Sequence, residues 1–208
     1  MVLKGKLQAM TAAEITTLLA LTTAASFSPG PNTTLSTAIA ANYGLKRAMQ
    51  FALAVPVGWA LLFSLCAGGL GAAVVAMPAL RWGIKAAGVG YLLWLAFKLY
   101  NTQQLGTADT SRLNVTFGHG VVLQFLNIKA WMLALTVVAG WMAGQSDATA
   151  RFVVILPILV VYAFVSNFSY AVMGSLLRDW LQQGSRLLWF NRFMALVLVV
   201  TAAWMATF

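Results

Sequence analysis

The chain has 208 residues, of which 61% are hydrophobic and only 8% are charged. Soluble domains carry about a quarter charged residues, so this composition excludes an ordinary soluble domain and predicts a protein embedded in lipid. The net charge of +9 comes from thirteen Lys and Arg against four Asp and Glu. Because the basic residues cluster between apolar stretches, they are typical of topology signals beside anionic lipid, and we expect no nucleic-acid binding.

Six apolar stretches follow in chain order, each long enough to cross a bilayer, which takes about 20 helical residues. They run from about Thr11 to Ala41, Ala48 to Met77, Leu80 to Tyr100, Phe117 to Ala143, Arg151 to Leu177 and Leu187 to Phe208. Residues 101–116 form a polar connector. We therefore predict an all-α membrane protein in which residues 1–208 form a single transmembrane domain.

The first stretch is interrupted by Pro29-Gly30-Pro31, although Ile15 to Leu45 carries no charge. The prolines remove two backbone donors, and Gly30 permits a sharp redirection of the chain. In hydrocarbon, freed backbone groups are tolerated only when they are buried in protein or line a wet cavity. The positive end of a second half-helix starting at Pro31 would face an anion, with Ser28 and Asn32 adding polar groups. A simple packing kink is the alternative, but one proline would suffice for it.

The fourth stretch contains a lysine, Lys129, within "LNIKAW" at residues 126–131. A lysine near mid-span costs about 2.5 to 3.5 kcal/mol on insertion scales, so it normally faces a cavity or a partner. Gln124 and Asn127 lie beside it on the helical repeat. The alternative is that Lys129 reaches up to the membrane surface.

The two anomalies occupy corresponding places. Residues 11–100 and 117–208 each hold three spans, and the first span of each half is broken. Because three is odd, the second half must enter the membrane inverted, which is the arrangement of transporters whose broken helices meet at a midplane substrate site. A helix end and a lysine suit a carboxylate. Asn32, Asn127, Asn167 and Tyr170 are candidate acceptors for the ammonium group of a zwitterion.

Three side chains are candidates for proton coupling. No Asp or Glu lies deep in any span, and burial in apolar surroundings disfavours a charged ammonium, which makes Lys129 the first candidate. His119 is the second, although a lone histidine near a helix start is more often an interfacial polar residue. Glu14 is the third, but its spacing from Thr11 predicts a capping box that closes a helix start.

The remaining composition excludes other classes of protein. The chain has one His and one Cys, so it lacks the nucleophile–base pair or metal site of a membrane enzyme and the ligand cluster of a metal exporter. We expect no enzyme activity, no metal and no cofactor. The glycines Gly68, Gly69 and Gly71 could pack within one chain or across a homodimer.

The basic residues bias the orientation only slightly. The compact Lys46–Arg47 pair favours cytoplasmic loops between spans 1 and 2, 3 and 4, and 5 and 6, with both termini in the periplasm. One side then receives Lys46, Arg47, Lys98, Arg112, Arg178, Arg186 and Arg192, and the other receives Lys4, Lys6, Arg81, Lys85 and Arg151.

Along nearly its whole length the chain resembles the LysE/RhtB family of bacterial amino-acid exporters, and within it the cysteine/O-acetylserine exporter branch. The segments that carry the resemblance are residues 28–32 (SPGPN), Gly44 with Lys46 and Arg47, residues 88–98 (GVGYLLWLAFK) and residues 120–130 (GVVLQFLNIKA). Many members have Asn-Pro-Lys where this chain has Asn127-Ile128-Lys129, so a gentler second break is expected.

The resemblance implies six spans, an inner-membrane location and export of small amino acids such as cysteine or O-acetylserine by proton antiport. It also implies substrate-binding roles for Pro29, Gly30, Pro31, Asn32, Gln124, Asn127 and Lys129. Export of another small zwitterion or a basic amino acid, and a channel-like uniporter, are the alternatives.

Overall fold

The computed structural model describes residues 10–102 and 115–207, and all regular secondary structure in these two ranges is helical. We number the helices of the described ranges α1 to α9. They are α1 Ala12–Phe27, α2 Pro31–Tyr43, α3 Leu45–Ala67, α4 Leu70–Ala76, α5 Pro78–Tyr100, α6 Phe117–Leu126, α7 Ile128–Trp141, α8 Ala148–Leu181 and α9 Arg186–Ala206. The polar connector expected at 101–116 lies mostly outside the described residues.

Both helix breaks expected from the sequence are present. The first separates α1 from α2, and Pro31 is the first residue of α2, where its missing N–H costs nothing. The second separates α6 from α7 at Asn127, with an angle of 64° between the two helices. This bend is sharp although Ile128 stands at the position where a proline is common.

The second apolar stretch is broken as well, which the sequence did not lead us to expect. α3 ends at Ala67, and Gly69 adopts the left-handed conformation (φ 103°) that begins the short helix α4. α4 then meets α5 at an angle of 98°. The predicted single span from Ala48 to Met77 is therefore wrong beyond Ala67, because the Gly68-Gly69 pair ends the helix.

Three described helices, α3, α8 and α9, are long and apolar enough to cross a membrane singly. The count rises to five when the bent pairs α4–α5 and α6–α7 are each taken as one span. α1 is a shorter apolar helix. The protein is thus an all-helical membrane protein with three to five candidate spans in its described part.

The longest helix, α8, packs against both α2 and α3, while α9 packs against α5. Glycines allow close approach at three contacts between helices. A side chain at Gly174 on α8 would collide with the backbone of Thr37 on α2, and one at Gly88 on α5 with the carbonyl of Leu126 at the second break. At Gly58 on α3, a Cβ would lie 2.7 Å from the Val121 carbonyl. The two breaks are therefore held in a tightly packed interior.

Candidate substrate site

The backbone groups freed by the first break are satisfied by side chains. The Phe27 carbonyl accepts a hydrogen bond from the Tyr170 hydroxyl at 2.8 Å. The Ser28 carbonyl accepts one from the Lys129 ammonium at 3.0 Å. The Thr33 hydroxyl accepts from the Gly30 N–H at 3.0 Å and contacts the Gly30 carbonyl at 3.1 Å. A broken helix in lipid requires such hydrogen-bond partners for its freed backbone groups.

The second break is satisfied in the same way. The indole N–H of Trp131 donates to the Phe125 carbonyl at 2.8 Å. The side-chain oxygen of Asn127 accepts from the Lys129 N–H at 3.2 Å, so Asn127 caps α7. An Asn cap in extended backbone therefore supplies the turn that a proline at position 128 would otherwise favour.

Lys129 joins the two breaks. Its side chain is half-buried, and Nζ donates to the Ser28 hydroxyl at 2.8 Å as well as to the Ser28 carbonyl. Gly30 leaves room for it, because a Cβ at that position would lie 3.3 Å from Nζ. Gly30 itself has extended backbone that any residue can adopt, so its role is to make space for Lys129 rather than to permit a sharp turn. Among the described residues, the ion pairs are those of Arg151, and Lys129 forms none.

A cavity lies between the two breaks, with about 50 Å³ of space open to water-sized molecules. The N-terminal turns of α2 and α7 both border it, so two partly positive helix ends and Lys129 face the same space. α8 and α3 close the other sides. The lining residues are Thr22, Ala25, Ser26, Ser28, Gly30, Pro31, Asn32, Thr33, Val55, Trp59, Asn127, Lys129, Ala130, Leu133, Leu159, Ala163, Ser166 and Asn167.

Most of the sequence-predicted binding residues meet here. Ser28, Gly30, Pro31, Asn32, Asn127, Lys129 and Asn167 all line the cavity. Asn167 on α8 accepts a hydrogen bond from Ser36 on α2 at 3.0 Å. Pro29 instead borders an apolar groove of about 570 Å³ on the other side of Lys129, toward Phe193, Val200 and Trp204 of α9.

Gln124 and Tyr170 are not among the residues that line the cavity. Gln124 is fully buried and exchanges two hydrogen bonds with Asn32, at 2.8 and 3.2 Å. A third bond joins its amide to the Gly120 carbonyl at 2.9 Å. Gln124 therefore ties α6 to the start of α2, and Tyr170 anchors the end of α1.

Two of the proton-coupling candidates lie in helix caps. Glu14 forms the expected capping box with Thr11 and also pairs with Arg151 at 2.7 Å. His119 occupies the equivalent position in α6, where its Nδ1 accepts from the Thr116 N–H at 3.2 Å. Neither residue lines the cavity, whereas Lys129 does.

Sequence reasoning missed several lining residues, among them Ser166 on α8 and Trp59 on α3. Both lie in uninterrupted apolar helices, where the sequence does not specify which face turns inward. Ser166 precedes Asn167, and this polar pair in mid-span is the signal that could have revealed it.

Two positive helix ends thus share a cavity with a lysine inside an all-helical membrane protein. The chain belongs to the LysE type translocator family, whose model matches residues 23–207. It is therefore a membrane translocator and not an enzyme.

Curated relatives include the cysteine/O-acetylserine efflux proteins of Escherichia coli K12, Shigella flexneri and Shigella sonnei. Each is 27% identical over 174 residues, which is 84% of this chain and 88% of theirs. No solved structure matches the chain.

Proposed function

We propose that this translocator exports small neutral amino acids, of the cysteine and O-acetylserine type, across the bacterial inner membrane. The observation that carries the proposal is the cavity between the two breaks, which Lys129 and the N-terminal turns of α2 and α7 border together. Membership of the LysE type translocator family and the names of the relatives support the same class of substrate.

The substrate carboxylate binds at Lys129. The Nζ ammonium donates to the two oxygens of Ser28, at 2.8 and 3.0 Å. A carboxylate forms shorter and stronger charge-assisted bonds, so it displaces at least one of them. The helix ends of α2 and α7 stabilise the same negative charge.

The ammonium group of the substrate binds neutral oxygens. No acidic side chain appears among the described residues that line the cavity, where the side-chain oxygens belong to Asn, Ser and Thr residues such as Asn127, Ser166 and Asn167. A second positive charge on a substrate would have no counter-charge beside Lys129, which disfavours basic amino acids. The cavity offers only about 50 Å³ of space to water-sized molecules, which favours a compact side chain.

Six spans in two inverted repeats, about 11–100 and 117–208, give the site its two-sided access. In support, the second helices of the two halves, α3 and α8, pack together, as do the third helices, α5 and α9. The first span of each half supplies one wall of the cavity. Rocking of the halves around this fixed site exposes it to one side at a time.

Proton antiport supplies the driving force in this proposal, and Lys129 is the coupling residue. Of the three candidates, Lys129 alone borders the cavity, which supports it as the coupling residue. In the proposed orientation, which the slight excess of Lys and Arg favours, the loops after α2 and α8 lie in the cytoplasm and both termini lie in the periplasm.

Efflux from loaded vesicles tests the proposal. Wild type and Lys129→Gln are compared at matched abundance, with a mixture of cysteine, O-acetylserine, threonine, homoserine, leucine and lysine inside. We expect wild type to export one or two neutral species and Lys129→Gln to lose nearly all of this export. Lys98→Gln is the matched control, because Lys98 lies over the Trp94 ring near the end of α5, away from the cavity.

Each alternative has its own result in this assay. Preferential export of lysine would favour a basic amino acid, and unsaturable flux without dependence on a proton gradient would favour a channel-like uniporter. Equal export by Lys129→Gln and wild type would contradict the carboxylate site.

A further inference from the structure

Two polar clusters that the substrate site does not use lie near the two ends of helix α8, on either side of its cavity residues. The ionic clasp consists of Glu14, Asp147 and Arg151 together with Trp141. The amide clasp consists of Asn42 and Asn191 with the backbone of Thr102. We propose that these two clasps are the gates of the transporter, one for each side of the membrane. This inference rests on the proposed alternating-access cycle.

The ionic clasp ties together the start of α1, the end of α7 and the start of α8. Arg151, which is buried, binds Glu14 at 2.7 Å and Asp147 at 2.9 Å. Its guanidinium also donates to the Trp141 carbonyl at 3.3 Å, and the Trp141 indole donates to the Glu14 carbonyl at 3.0 Å. The cluster therefore joins the first span of each half through one guanidinium.

The amide clasp ties together the end of α2, the start of α9 and the chain after α5. The side chains of Asn42 and Asn191 are fully buried and exchange two hydrogen bonds, at 2.7 and 3.0 Å. Asn191 also donates to the Thr102 carbonyl at 2.9 Å. All of these partners are neutral, so this clasp differs chemically from the ionic one.

Helix α8 gives the order of the three features along the membrane normal. Arg151 lies in its first turn, the cavity residues Leu159 to Asn167 lie in its middle, and Leu181 at its end packs with Ala41, the neighbour of Asn42. At 1.5 Å per residue, Arg151 lies about 12 Å and Leu181 about 21 Å along α8 from the nearest cavity residue of that helix. The two clasps therefore lie on opposite sides of the cavity residues of α8, and in the proposed cycle each opening requires one clasp to separate.

The proposed orientation decides which side of the membrane each clasp faces. The amide clasp lies beside the loops after α2 and α8 and closes the cytoplasmic side. The ionic clasp lies beside the start of α1 and closes the periplasmic side. Export then requires the amide clasp to open for loading and the ionic clasp to open for release.

Accessibility of a cysteine in the cavity tests this assignment without any substrate. Ser166→Cys in a Cys66→Ala background places the reporter thiol, and a membrane-impermeant maleimide is added from one side of oriented vesicles at a time. Glu14→Gln weakens the ionic clasp but keeps a side-chain oxygen for the capping box with Thr11. Asn191→Ala removes the paired amide of the other clasp.

We expect Glu14→Gln to raise the labelling rate about tenfold from the periplasmic side only, and Asn191→Ala to raise it similarly from the cytoplasmic side only. A tenfold change corresponds to about 1.4 kcal/mol in the opening equilibrium. Unchanged labelling overturns the proposal, and so does an equal rise from both sides, which is what general loosening of the fold produces. If each variant instead raised the labelling rate from the opposite side only, the assignment of each clasp to its face would be overturned.

A cross-link provides the second test, in case a weakened clasp fails to fold. Asn42→Cys with Asn191→Cys, again with Cys66→Ala, locks the amide clasp when oxidised. Export should stop on oxidation and return on reduction of the same sample. Full export by the cross-linked protein overturns the gate. Failure of the proposed function would give a different result. Lys129→Gln would then export at the wild-type rate, whatever the labelling rates of the clasp variants are.

Discussion

Lys129 has the surroundings of a side chain that exchanges partners. Its ammonium binds two uncharged oxygens of one serine, and no carboxylate of the described residues pairs with it. In a low-dielectric interior, a neutral partner leaves much of the attraction for an anion unused. The Ser28 contact therefore satisfies the lysine here, and in the proposed cycle it yields to the substrate carboxylate.

Gly30 sets the position of this ammonium. In Gly30→Ala the new Cβ lies 3.3 Å from Nζ and 3.4 Å from Cδ of Lys129, so the end of the lysine must move by a few tenths of an ångström. Because that end is flexible, we expect the thermal unfolding midpoint to stay near wild type. The apparent KM for export should rise by roughly tenfold, since small misplacement of a binding group weakens recognition strongly.

Gly83→Ala is the control for this change, because a Cβ at Gly83 meets open space. The measurement is initial efflux rate against internal substrate concentration. An unaltered KM in Gly30→Ala would mean that Lys129 does not hold the substrate in this position.

At the scale of elements, the second break shows how a helix ends without proline. Asn127 has extended backbone (φ −92°, ψ 99°) and caps α7, so Ile128 is the first helical residue. Proline is favoured at that position, and it also favours extended backbone in the residue before it. The break is therefore already compatible with the Asn-Pro-Lys sequence.

We predict that Ile128→Pro is tolerated. The free energy of unfolding should change by no more than about 1 kcal/mol, because the helix needs no N–H donor from its first residue. Thr136→Pro is the comparison, since Thr136 is exposed in the interior of the same helix. Thr136→Pro should lower the free energy of unfolding by about 3 kcal/mol. Unfolding of the purified proteins in detergent measures both, and a similar loss in the two variants would contradict the assigned start of α7.

The sequence allowed the two main breaks to be predicted but not the third. Pro29 and Pro31 remove backbone donors whatever surrounds them, so their effect can be inferred locally. Gly68 and Gly69 are ambiguous, because glycine is tolerated inside membrane helices as well as at their ends. The Glu14–Arg151 pair spans 137 residues and depends on how helices pack, so the sequence suggested only the local bond from Glu14 to Thr11.

At the scale of the whole molecule, the site, the two clasps and the helix breaks lie along one axis. α8 runs beside all of them, and its hydrogen bonds reach α1 and α2 at successive levels. Tyr162 meets Thr23 at 3.2 Å, and Asn167 meets Ser36 at 3.0 Å. A shift of α8 relative to α1 and α2 therefore acts on the cavity and both clasps together.

The direction of this axis in the membrane is the last prediction. Ser146 and Ser185 are exposed in the turns at the two ends of α8, which makes Ser146→Cys and Ser185→Cys a matched pair in a Cys66→Ala background. We expect an impermeant maleimide to label Ser146→Cys in intact spheroplasts and to label Ser185→Cys only after permeabilisation. This follows from the greater number of Lys and Arg on the side of Lys46, Arg47 and Arg186. Reversed labelling would invert the carrier and exchange the sides of the two clasps, whereas labelling of both cysteines from one side would mean that α8 does not cross the membrane.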